Sequence, residues 1–81
     1  MHYEYRTFGT CSSKIDFDLE DGKLHNVRFT NGCNGNLQGI GRLVEGMDAR
    51  EAHQKLRGVK CGMKETSCPD QLARAIEKAL Q

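Results

Sequence analysis

Cys11, Cys33, Cys61 and Cys68 are the residues with most chemistry to offer in this sequence. As thiolates they would bind a metal or attack a disulfide. Two of them share the stretch Cys61-Gly62-Met63-Lys64-Glu65-Thr66-Ser67-Cys68-Pro69-Asp70. Pro69 has no backbone N–H to lose and is pre-set in φ, so the sequence predicts it at the first position of a helix, with Cys68 as the N-cap. Thr66 and Ser67 stand beside it as alternative caps, and Asp70 brings a carboxylate to the first turn, where the helix dipole favours negative charge. A sulfur at that point meets unpaired N–H groups, which favour the thiolate form.

The other thiols have comparable places. Cys11 precedes a predicted strand, Cys33 follows one inside the turn-rich run Asn31-Gly32-Cys33-Asn34-Gly35, and Cys61 lies in a loop. A single Cys is often just a small buried hydrophobe, but four outside the apolar faces of regular elements point to a shared task. Four thiolates suit zinc or an iron–sulfur cluster equally well. No C-x-x-C pair is present, so convergence has to be supplied by the fold. Other polar residues offer less: His25 and His53 are expected to be solvated, and His2 sits near the start of the chain. Ser13 could orient or replace a ligand, although a turn hydroxyl is its default role. Asp70 has a secondary prospect of hydrogen bonding near the site, and Gly32 and Gly35 match no phosphate-binding loop.

The elements that must position these thiols can be read from periodicity. Tyr3 to Phe8 is a β-prone edge strand ending at Gly9. Ile15, Phe17 and Leu19 alternate with Lys14, Asp16, Asp18 and Glu20, and a second strand runs from Lys23 to Thr30 with Val27 and Phe29 inward. Parity constrains the turn between them. A two-residue Asp21-Gly22 turn would put Val27 and Phe29 on the wrong face, so a three-residue Glu20-Asp21-Gly22 loop pairing Ile15 with Val27 is expected. Leu37, Ile40, Leu43 and Val44 recur at helical spacing behind Asn36 as a cap, with Gly39 and Gly41 placed to let that helix approach the sheet. Asp48 and Glu51 form a capping-box pattern for a short helix through Leu56, closed by Gly58. The last helix carries Leu72, Ile76, Ala79 and Leu80 on one face. The sum is a two-layer α+β domain, a short antiparallel meander of about three strands covered by about three helices.

At 81 residues the chain is one domain, and with 37% hydrophobic residues and no Trp its core is thin. A bound metal, a partner protein or a second copy would each help it stay folded, and the Tyr3 to Phe8 edge is the surface a homodimer would use. Net charge is +1 with acids and bases interspersed, so no nucleic-acid footprint is expected. The start has neither the basic nor the apolar region of a secretory signal, and no run is long enough to cross a bilayer. The expected location is the cytoplasm, where clustered Cys residues read first as metal ligands or redox thiols.

The pentapeptide Thr66-Ser67-Cys68-Pro69-Asp70, with Cys11, Gly32-Cys33-Asn34-Gly35-Asn36-Leu37 and Cys61-Gly62 before it, resembles the TSCPD domain family over almost the whole chain, and in particular its small stand-alone members. A similar domain closes the vitamin B12-dependent ribonucleotide reductases. The resemblance implies one TSCPD-like domain over residues 1–81. It implies an accessory module rather than the reductase itself, because 81 residues cannot hold the barrel, nucleotide sites and cofactor of that radical chemistry. The chain is also similar, more weakly, to iron–sulfur scaffold proteins of the NifU and IscU type. Cys11, Cys33 and Cys68 fall where those keep their three cluster thiols, while Ser13 and Ser67 stand where they keep an acidic residue and a His.

These lines lead to a small metal-binding accessory domain in which Cys11, Cys33, Cys61 and Cys68 hold zinc or an iron–sulfur cluster. A reductase or the iron–sulfur machinery would be its protein partner. The alternative is a reductase-associated redox module in which Cys61 and Cys68 cycle between dithiol and disulfide. A third reading is a partner-binding module whose Cys residues only hold the fold.

Overall fold

Hairpin geometry fixes the sheet. A computed structural model of the chain describes residues 1–10, 12–32, 34–60 and 62–80. Strand β2 (Lys14–Glu20) lies between β1 (His2–Arg6) and β3 (Lys23–Thr30), and both of its pairings are antiparallel. Thr7 and Phe8 lie beyond β1, so the edge strand is shorter at that end than the sequence predicts.

The turn between β2 and β3 corrects the expected loop. Glu20 pairs with Lys23, leaving Asp21 and Gly22 as a two-residue connection with φ of 53° and 76°. Two successive left-handed residues are what a type I′ turn requires, and Asp-Gly is among its preferred pairs. The parity problem is solved further along the strand. Asp18 pairs with His25 but Asp16 pairs with Arg28, so β3 carries one extra residue opposite Phe17. Asn26 takes φ 55° at this bulge. Leu24, before the bulge, and Val27 and Phe29, after it, therefore contribute to the same core, and Ile15 pairs with Phe29 rather than Val27.

Three helices supply the second layer: α1 (Asn34–Val44), α2 (Ala49–Leu56) and α3 (Cys68–Leu80). Helix α1 begins ahead of the expected Asn36 cap, with Asn36 inside it. Only one of its two glycines is a close-approach position. A Cβ on Gly41 would come within 2.9 Å of the Val27 carbonyl oxygen, whereas one on Gly39 would meet nothing within 4 Å. Helix α2 starts as expected, with the Asp48 carboxylate accepting from the N–H groups of Arg50 and Glu51, and Gly58 follows its end at φ 90°. Ile15, Phe17 and Leu24 of the sheet, Val44 of α1, Ala49 and Ala52 of α2 and Leu72, Ala75 and Ile76 of α3 form one buried cluster. The domain is thus α+β, a three-stranded meander covered by three helices.

The bulge is held from outside. Glu45, just past α1, accepts from the Asn26 N–H at 2.9 Å and lies 2.8 Å from His25 Nδ1. Those two contacts, the backbone one first, hold the Glu45 carboxyl below its usual range. The Asn26 amide donates to Asp18 at 3.0 Å, and this bond with the nearby His2 ring likewise lowers the Asp18 carboxyl. No helix is long and apolar enough to cross a membrane among the described residues.

Candidate functional site

The start of α3 is built around a side chain other than the predicted cap. The Ser67 carbonyl accepts the first intrahelical bond from Gln71 N–H at 2.8 Å, and its Oγ accepts from Asp70 N–H at 3.1 Å. Ser67 is therefore the N-cap, Cys68 the first helical residue and Pro69 the second. A serine oxygen is a better acceptor than sulfur, and Pro69 still gives up no bond, because N–H groups of the first turn have no helical partner. The pattern Ser67-Cys68-Pro69-Asp70 matches the S-x-x-[DE] signature and could have identified the cap.

Asp70 is more than a first-turn charge. It is 1% exposed, and its carboxylate gathers donors from three directions. Oδ1 accepts from the Gly58 N–H at 2.7 Å and from Arg57 Nη1 at 3.2 Å. Oδ2 accepts from Thr66 Oγ1 at 2.5 Å and from Arg74 Nε at 2.9 Å. Burial alone would raise this carboxyl, but the bonds from Thr66, Gly58 and Arg74, with the Arg74 charge, outweigh it and hold the group below its ordinary value. Gln71, fully buried, donates to Thr66 Oγ1 at 3.0 Å and accepts from the Phe8 N–H at 3.3 Å, which ties the β1–β2 connection to α3. Ser67 Oγ also donates to the Val59 carbonyl at 2.6 Å. The segment between α2 and α3, which carries Cys61 in sequence, is thereby fastened at both ends.

Cys68 is buried, with Sγ 3.1 Å from Ser12 Oγ. A hydroxyl donates to a thiolate and accepts from a thiol, so this contact serves either form. Ser12, itself 3% exposed, is fixed by Thr7 Oγ1 and Thr10 Oγ1, which donate to its carbonyl at 2.5 and 3.2 Å. The hydroxyl at the site is thus that of Ser12. Ser13, the residue considered from sequence, bonds the Thr30 carbonyl at the end of β3 instead. Gly32, at φ 97°, lies against Ser12, where an added Cβ would sit 3.2 Å from its backbone nitrogen. Beside Cys68 a cleft of about 500 Å³ is lined by Leu37, Ile40 and Leu43 of α1, by Val59 and Lys60, and by Pro69.

Cys11, Cys33 and Cys61 lie outside the described residues. Their described neighbours do not scatter. Ser12 touches Cys68, Gly32 lies against Ser12, and Lys60 shares the cleft with Cys68. Among the described residues, no group of three or more His, Cys, Asp or Glu side chains could hold a metal ion.

The histidines stand away from this centre. His2 Nδ1 is 2.7 Å from Asp18, and His25 pairs with Glu45. His53 departs from its expected exposure: its side chain is 27% exposed between α2 and α3, with Nε2 3.8 Å from Glu77.

Neither the curated proteins nor the solved structures contain a match to this chain. The family model described as TSCPD domain matches residues 2–80. The pentapeptide that caps α3 and supplies its buried carboxylate sits inside a match spanning nearly every residue, and the chain belongs to the TSCPD domain family.

Proposed function

We propose that this is a metal-binding accessory domain in which the thiolates of Cys11, Cys33, Cys61 and Cys68 hold one zinc ion or one iron–sulfur cluster. The observation that carries the reading is that Ser12, next to Cys11 in sequence, contacts the buried Cys68, that Gly32, next to Cys33, lies against Ser12, and that Lys60, next to Cys61, lines the cleft beside Cys68. Donor chemistry fits as well: four sulfurs satisfy tetrahedral zinc and both common cluster types. The group would supply cross-linking between the β1–β2 connection, the β3–α1 connection and the α2–α3 segment. In the cluster form it would also supply electron-transfer capacity. Ser12 would donate a hydrogen bond to the Cys68 sulfur, an outer contact of the kind that tunes a metal–thiolate bond. The cytoplasm, with a ribonucleotide reductase or the iron–sulfur machinery as partner, is the setting that goes with this reading.

Because such a site forms together with the fold, replacing any one Cys by Ser should lower both metal content and unfolding temperature. Full metal retention in two of the four variants would defeat the proposal. A redox role for Cys61 and Cys68 is the second reading, favoured by the shared cleft of Lys60 and Cys68. Its signature is a reversible disulfide between the two thiols in metal-free protein, and a pair locked by metal counts against it.

A further inference from the structure

The two edges of the sheet are treated differently. At the β3 edge, Gly46 N–H donates to the Leu24 carbonyl at 2.6 Å and Leu24 N–H to the Met47 carbonyl at 2.9 Å. Glu45 takes the Asn26 N–H, and Gly41 lies against the Val27 carbonyl. That edge is covered from Leu24 to Val27.

The β1 edge is not. Met1 and Leu19 exchange backbone bonds at 2.9 and 2.8 Å, and Thr7 N–H donates to the Ser13 carbonyl at 3.2 Å. These bonds fix the parity of the ladder. Met1, Tyr3, Tyr5 and Thr7 turn their backbone groups toward β2, and those of His2, Glu4 and Arg6 face away from the sheet. Among the described residues none of these outward N–H and C=O groups has a partner. An open row of this kind is a template for another strand.

We infer that β1 pairs with β1 of a second copy of this chain, antiparallel and centred on Tyr5. Parity leaves few symmetric choices, because the outward-facing residues must meet one another. Centring on Glu4 would set Glu4 against its own copy and His2 against Arg6, and like charges directly opposite are unfavourable. Centring on Tyr3 sets His2 against Glu4, but the His2 ring is already held by Asp18 at 2.7 Å. Centring on Tyr5 places each Glu4 opposite the other copy's Arg6, with both backbone bonds of each pair made and the charges complementary. The two Tyr5 rings then meet on the helix side of the sheet. They lie beside a groove formed by Tyr3, Tyr5, Phe17, Ala75, Lys78 and Ala79, where Tyr3 already stacks on Phe17 with ring centres 5.7 Å apart. Glu4 and Arg6 are exposed in the single chain, and Glu4 has only long contacts, 3.9 Å each, to His2 and Lys14. The two meanders become one continuous sheet, and the open edge disappears.

Sedimentation equilibrium of the untagged full chain from micromolar to millimolar concentration tests the pairing, with thermal unfolding of every variant as the check on folding. Wild type should dimerise. Glu4→Arg alone and Arg6→Glu alone should each weaken the dimer by about tenfold or more, since each turns both symmetric pairs repulsive. The double variant Glu4→Arg/Arg6→Glu should restore it. Monomeric wild type throughout, single swaps without effect, or a double variant as weak as the singles would each overturn the pairing.

Discussion

Asp70→Asn should destabilise the domain by about 2–4 kcal/mol, and the structure shows where that figure arises. The substitution keeps the shape of the side chain but removes the charge and turns one acceptor oxygen into an N–H donor. That donor must face either Gly58 N–H and Arg57 or Thr66 Oγ1 and Arg74. Breaking a fully buried charge pair costs about 3–5 kcal/mol. Here Arg57 and Arg74 are 44% and 33% exposed and regain water, so their share is discounted, leaving mainly the buried amide and hydroxyl partners. A domain of 81 residues has about 4–12 kcal/mol in total, so the loss is a large fraction of it. The melting temperature should fall by at least about 8 °C. Urea and thermal unfolding at neutral pH measure the difference. The same comparison carries a pH signature. The folded carboxyl lies below its ordinary value, so its stabilisation is complete above the unfolded pKa of about 3.9 and disappears as pH falls through the folded one. The gap between wild type and Asp70→Asn should therefore narrow in acid. A loss under about 1 kcal/mol, or a gap that widens below pH 4, would refute the view of Asp70 as a charged hub.

Other residues give sharper contrasts in the same assays. Gly41→Ala should destabilise, because its Cβ would press on the Val27 carbonyl, while Gly39→Ala should stabilise by up to about 1 kcal/mol, its Cβ meeting nothing; equal effects would dispose of the close-approach argument. Ser67→Ala should cost about 1–2 kcal/mol in urea unfolding, by removing the cap on Asp70 N–H and the bond to Val59, and Cys68→Ser should leave that cap intact. Asp18 and Glu45 are both held below their ordinary values, so Asp18→Asn and Glu45→Gln should each flatten the acid side of the stability profile, as followed by circular dichroism against pH.

Strand alternation and the apolar faces of the helices were legible from the residues, because periods of two and 3.6 follow directly from burial on one side. The hairpin was not, and for an instructive reason. A parity conflict can be resolved by lengthening the turn or by inserting a bulge, and sequence does not choose between them until Asn26 is recognised as a residue tolerant of positive φ. At the start of α3 the sequence favours Cys68 as cap with Thr66 and Ser67 as alternatives, and Pro69 does not choose among them because the second helical position suits it as well as the first. Asp70 reads from sequence as a first-turn helix stabiliser with only a secondary prospect of hydrogen bonding, since its partners Gly58 and Thr66 come from a loop with no periodicity. Sequence does not separate Ser12 from Ser13, because a turn gives no parity by which to tell which hydroxyl points inward.

The four-thiolate site is tested most directly by elemental analysis with a visible spectrum on untagged protein purified without oxygen. A four-thiolate site should give close to one zinc per chain and no colour, or iron with inorganic sulfide and a brown charge-transfer band. Metal-free protein that is folded and presents four titratable thiols would contradict it.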